Sequence, residues 1–138
     1  MRFTLASSCV GVAAIAGLLS ALDLVCKRTI ADLEVRGKYH ESESRIYRAS
    51  REYTLVEAEA YKISNPSQYK SLLSYSRYLG VGGEEHDLQM KEANSICREL
   101  GRLGPFWMYG YRERSWRIAT IERPPDHYFE TVSRVSAP

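Results

Sequence analysis

Charge is spread unevenly along this chain. Residues 3–22 carry no charged side chain, whereas beyond Lys27 charges recur every few positions. A helix over those twenty uncharged residues rises about 1.5 Å per residue, enough to cross the roughly 30 Å hydrocarbon core of a bilayer. Arg2 flanks one end, and Lys27 and Arg28 flank the other. Asp23 sits at the second edge, one helical turn before Lys27, where the two can pair. With Met1 present, the segment is expected to be kept as a transmembrane helix rather than removed as a signal peptide or a mitochondrial presequence. A buried helix of a soluble domain is the remaining reading; so long a stretch without charge is unusual there.

Within the span, Cys9, Ala13, Gly17 and Ala21 recur at i+4 and make one face of small side chains. Ile15, Leu18, Leu19 and Leu22 lie opposite. Small faces let helices approach closely in lipid, so this face is the expected packing surface for a neighbouring membrane helix. Lys27, Arg28, Arg36 and Lys38 follow the span and only Arg2 precedes it. The positive-inside rule therefore puts the C-terminal tail on the cytoplasmic, matrix or stromal side.

The tail reads as helix. Residues 29–63 lack proline and are rich in Glu, Arg and Ala. Ile46, Ala49, Tyr53, Val56, Ala60 and Ile63 are spaced 3-4-3-4-3, a heptad seam. Ile30 and Leu33 are out of phase with it, which predicts a kink or register change across residues 37–44. Asn65 and Pro66 predict a helix start, as N-cap and first helical residue. Tyr69, Leu72, Leu73 and Leu79 give that helix its stripe, with Gly80 as its stop and Gly82–Gly83 as a turn. Glu84, Glu85 and Asp87 are expected to open a third helix, lined by Ala93, Ile96, Leu100 and Leu103 and ended by Gly101 and Gly104–Pro105. The last part is expected to be irregular: Phe106, Trp107, Tyr109, Tyr111, Trp116 and Tyr128 cluster with arginines, residues 116–122 suit a short strand or a helical turn, and Pro124–Pro125 breaks any regular element. The fold class is thus all-α. The expected parts are a transmembrane anchor (1–28), a hairpin-like helical region (29–104) and an extended C-terminal arm (105–138).

Candidate chemistry adds little. The net charge is +2, too small to argue for nucleic acid. Cys9, Cys26 and Cys97 are far apart, odd in number and without a CxxC pair, which speaks against a disulfide framework or a zinc site. His40, His86 and His127 form no HxxxH pair, and the acids around His86 are explained by a helix start. No nucleophile elbow, Walker motif or dinucleotide fingerprint is present. The expectation is no enzyme, cofactor, metal or small-molecule substrate. The aromatic and arginine stretch, with Trp107, Tyr109, Tyr111, Arg112, Arg114, Trp116 and Arg117, suits partner contact, because Trp, Tyr and Arg are enriched in interface anchors. Contact of its aromatics with a membrane surface is an alternative.

Met1, Phe3, Gly11–Val12, Gly17–Leu18 and the basic exit Lys27–Arg28 resemble the opening of the MWFE-type accessory subunit of mitochondrial complex I (NADH:ubiquinone oxidoreductase). Glu113, Arg114, Arg117 and Ile118 are similar to a charged motif in that family's tail. The likeness covers residues 1–28 and 113–118; residues 29–108 have no counterpart in it. It implies a non-catalytic scaffold subunit in the mitochondrial inner membrane, with the tail in the matrix and other subunits and lipid as partners. Accessory subunits of ATP synthase or a photosystem, and a stand-alone membrane-tethered adaptor, are the alternatives.

Overall fold

The computed structural model describes residues 5–126 and Tyr128, with side chains from Val10 onward. It is all-helical among the described residues. Helix α1, Leu5–Tyr61, runs unbroken for 57 residues, about 86 Å at the usual rise. A short turn leads to α2, Pro66–Leu103, of 38 residues. A 3-10 turn, η1, Gly104–Met108, and a short helix, α3, Tyr111–Thr120, complete the described fold.

The start of α2 is as the sequence predicts. Asn65 is the N-cap; its Oδ1 accepts from the Gln68 amide at 3.2 Å, and Pro66 takes the first turn, where no donor is needed. The rest of the tail departs from expectation in three ways. First, α1 passes through residues 37–44 without a break. The row it turns toward α2 is Cys26, Ile30, Leu33, Gly37, His40, Ser44, Tyr47, Arg51, Thr54 and Ala58, buried or half-buried but for Arg51, an alternating 4-3 spacing that keeps one phase throughout. Ile30 and Leu33 belong to this row, so no register change is required. Ile46, Ala49, Tyr53, Val56, Ala60 and Ile63, read from sequence as the seam, lie on the opposite face and are exposed.

Second, Gly80, Gly82 and Gly83 do not end a helix; α2 continues through them, and the helix expected to open at Glu84 is its second half. The glycines serve close approach instead. A Cβ on Gly82 would fall 2.5 Å from Tyr47 Cε1, and one on Gly83 3.4 Å from Tyr47 Cβ. The missing side chains therefore make room for a tyrosine of α1, at the conformational cost of glycine within a helix. Gly101 is likewise inside α2, which stops at the next glycine, Gly104, with φ +52° and its amide on the Leu100 carbonyl.

Third, residues 105–120 are not an extended arm. After Gly110, in the left-handed region at φ +81°, α3 runs back along the hairpin, and residues 116–120 are helical. The expected arm beyond Tyr128 lies outside the described residues. Ile118 of α3 packs on the apolar core, and polar contacts fix the rest. The Arg36 guanidinium, 4% exposed, donates to the carbonyls of Ile118 at 3.2 Å and Ile121 at 2.9 Å. The Ile118 carbonyl already accepts the Ile121 amide at 3.2 Å, so Arg36 is its second donor, and the guanidinium charge suits a helix C-terminus. Arg117 reaches down to α2, with Nε on Glu92 at 2.6 Å and Nη1 on Glu99 at 2.9 Å. The apolar core lies beneath: Cys26 and Leu33 of α1, Ala93, Ile96 and Leu100 of α2, then Trp107 and Ile121.

Candidate interaction surfaces

From Val10 to Ala21, α1 stands clear of the hairpin. Residues 10–21 are all exposed, and a Cβ on Gly11 or Gly17 would meet nothing within 4 Å. Among the described residues, α1 alone is long and apolar enough to cross a membrane, with a mean hydropathy of 1.8 in its most apolar stretch. Ala13, Gly17 and Ala21, three of the four residues expected to pack against a neighbouring membrane helix, lie on this free stretch; the Cys9 side chain is outside the described part. Ile15 and Leu18 are as open as the small face.

The middle of the hairpin is polar, yet closed. His40, 0% exposed, places Nδ1 at 2.8 Å from His86 Nδ1 and Nε2 at 3.2 Å from the Glu122 carbonyl. A carbonyl only accepts, so neutral His40 carries its proton on Nε2 and accepts at Nδ1 from His86. Burial, followed by the neighbouring His86, pushes the His40 imidazole below its ordinary value. One helical turn further on, Ser44 donates to Asp87 Oδ1 at 2.6 Å, and Arg48 pairs with the other Asp87 oxygen. The Ser44 hydroxyl, more than the Arg48 charge, holds the Asp87 carboxyl below the usual range. Tyr39 and Tyr47 pack their rings edge-on or tilted against His86 at 6.1 and 5.3 Å. These groups are consumed by one another: they tie α1, α2 and the segment after α3 together. Among the described residues no three His, Cys, Asp or Glu side chains come together as metal ligands do.

The aromatic and arginine residues expected to meet a partner divide into two sets. Trp107, 3% exposed, is core. Arg114 donates to the Trp107 carbonyl at 2.7 Å and to the Tyr109 carbonyl, and Arg117 is the clamp on Glu92 and Glu99. These three are spent inside the chain. Tyr109, Tyr111, Arg112 and Trp116 face outward. Sequence reasoning passed over Arg36, His40 and Gly82, which organise the hairpin. The 4-3 row of α1 that includes His40 runs through too many polar and small residues to register as a hydrophobic pattern; Arg36 lies one position off that row, and Gly82 faces it from α2.

Beyond the free stretch, the outer face of α1 is also open. Val56 is 73% exposed, with Ile46 and Tyr53 between half and three-quarters exposed, and Ile63, in the turn just past the end of α1, is 94% exposed. Beside it, Tyr53 and Thr54 of α1 and Leu72 and Tyr75 of α2 line a shallow groove, and the Tyr75 and Tyr78 rings are stacked. Comparison with family models, curated proteins and solved structures returns no match for this chain.

Proposed function

We propose that this protein is a non-catalytic scaffold: a membrane-anchored helical strut that joins a membrane assembly to a partner held above the bilayer. One observation carries the reading. A single continuous helix has a free apolar stretch at one end and, on the face turned away from α2, an exposed apolar row at heptad spacing. A heptad row is what a partner helix packs against, and scattered single exposed apolar residues would not fall into one such row. At 1.5 Å per residue, Ile46 to Ala60 stand about 36 to 57 Å beyond Leu22 along the helix, so the partner is met well clear of the lipid.

The finer assignment, an accessory subunit of a mitochondrial inner-membrane respiratory complex, complex I first, is supported by the resemblance of residues 1–28. In it, the small face of the span packs against a membrane subunit and the tail lies in the matrix. Membranes solubilised in mild detergent and run on native gels test both levels. The scaffold reading expects the chain in a particle far larger than its own mass, and the finer one expects that particle to oxidise NADH in the gel. A large particle without that activity leaves ATP synthase or a photosystem. A chain that migrates alone ends the scaffold reading in favour of a stand-alone tethered adaptor, a reading favoured by the hairpin's having its own core.

A further inference from the structure

The chain returns to its anchor at one height. Trp107 Nε1 donates to the Leu22 carbonyl at 3.4 Å, and Leu22 is the last residue of the uncharged segment. Nearby, the Cys26 thiol meets the Leu100 carbonyl at 3.7 Å. Together these hold η1 and the end of α2 beside α1 where lipid-compatible sequence gives way to Asp23, Lys27 and Arg28. Trp107 points inward; its neighbours do not. Phe106 is 62% and Tyr109 79% exposed, and Met108 and Tyr111 are also open. For a chain of this size such a cluster around one turn is a patch rather than scattered single residues.

The charges at the same height are one-sided. Asp23 is taken by Lys27, and Glu99 by Arg117 and Arg114. Among the described residues Arg28, Arg102 and Arg112 are exposed and in no ion pair, and Glu113, next to Arg112 in the chain, is an acid likewise outside the ion pairs.

We propose that η1 and the start of α3 are a seat in the headgroup layer of an anionic bilayer. Phe106 and Tyr109 lie among the headgroups, and Arg28, Arg102 and Arg112 contact lipid phosphates. The proposal rests on the reading of residues 3–22 as a span. Given that span, the occupant follows from continuity: a bilayer crossed by those residues presents its headgroups at the height of Leu22, where Trp107 fixes this turn. Aromatic side chains favour that layer, and cations near it gain from anionic lipid. The seat gives the hairpin a second attachment beside the helix, and so sets the height at which the outer row of α1 meets its partner.

The test is spin-label depth measurement on the full chain, carrying Cys9→Ala, in vesicles of phosphatidylcholine alone and of equal parts phosphatidylcholine and phosphatidylglycerol. Cys26 and Cys97 can stay, since burial pushes both thiols up and keeps them unreactive. Labels go at Phe106→Cys and Tyr109→Cys, with Ile15→Cys as the lipid reference and Glu52→Cys as the aqueous one. The seat predicts that labels at 106 and 109 meet oxygen more, and a nickel chelate less, than the label at 52, at a depth shallower than 15. It also predicts that Arg102→Gln with Arg112→Gln moves both toward water in the anionic vesicles and not in the neutral ones. If 15 reads lipid while 106 and 109 match 52, the seat is overturned and the anchor stands. If 106 and 109 are shielded from both reagents, protein covers the patch and the seat is again overturned. If 15 itself reads as water, the anchor reading fails, and the seat with it.

Discussion

Helix α1 carries two rows at heptad spacing on opposite faces, and they invert the usual relation between hydrophobicity and burial. The inner row, Cys26 to Ala58, is mixed: Gly37, His40, Ser44, Arg51 and Thr54 alternate with a few apolar residues, and most of it is buried or half-buried. The outer row, Ile46 to Ile63, is almost wholly apolar and open. The inner row stays closed because its polar atoms are satisfied across the hairpin, as in the His40–His86 and Ser44–Asp87 pairs, and because small residues let the helices come near. Burial of polar groups is tolerated when each finds a partner. The outer row has no such account within the chain. The difference teaches that the hairpin closes along one face of α1 and leaves the other, more apolar one open.

Substitutions in the two rows should separate them. The largest effect is expected at the apolar end of the inner row. Leu33 is 0% exposed, so Leu33→Ala should cost about 2–5 kcal/mol through lost burial and the cavity left behind, read from chemical denaturation. Gly82→Val comes next: its side chain would collide with the Tyr47 ring, already packed on His86, and overpacking of this kind costs about 1–3 kcal/mol. If Gly82→Val left stability unchanged, close approach would not be the reason for that glycine.

Acidification probes the same row chemically. The folded chain holds His40 below its ordinary value of 6.5, so the unfolded chain takes up this proton more readily. Stability from this group is complete above that pH and falls as the pH drops toward the folded value. Protonation would also set two N–H groups against each other at the His86 contact, with Tyr39, Glu43 and Glu122 as the other ionisable neighbours. Melting followed from neutral to mildly acidic pH should show the decline, and His40→Gln should flatten it. An equal decline in His40→Gln would assign the effect elsewhere. The smallest effect is expected on the outer face: Val56→Ser alone should change stability by no more than about 0.5 kcal/mol, as for other surface positions.

How much of this was legible follows the same division. The free apolar helix, the all-α class, the Asn65–Pro66 start and the inner face of Ala93, Ile96 and Leu100 all follow from strong local signals. The glycines at 80–83 misled because a glycine run marks a turn in most settings, and its use for close approach depends on Tyr47, 35 residues earlier in the sequence. The inner seam is hidden because periodicity is sought in apolar residues, and here the phase is carried by Gly37, His40 and Ser44. The outer row is legible as a heptad, open to packing within a bundle or against a partner subunit; which of the two rows is covered within the chain depends on α2, which packs on the other face. Arg114 and Arg117 were legible as anchors, but not as anchors for α3.

The central claim is that the outer row belongs to an interface beyond the chain. Its most direct test is the triple variant Tyr53→Ser, Val56→Ser, Ile63→Ser in the full chain, followed in its own membranes by native gel and, after purification in detergent, by thermal melting. The account predicts that the variant melts with the parent chain yet is lost from the large particle. A variant that unfolds well below the parent, or one that remains in the particle at the parent's level, would contradict it.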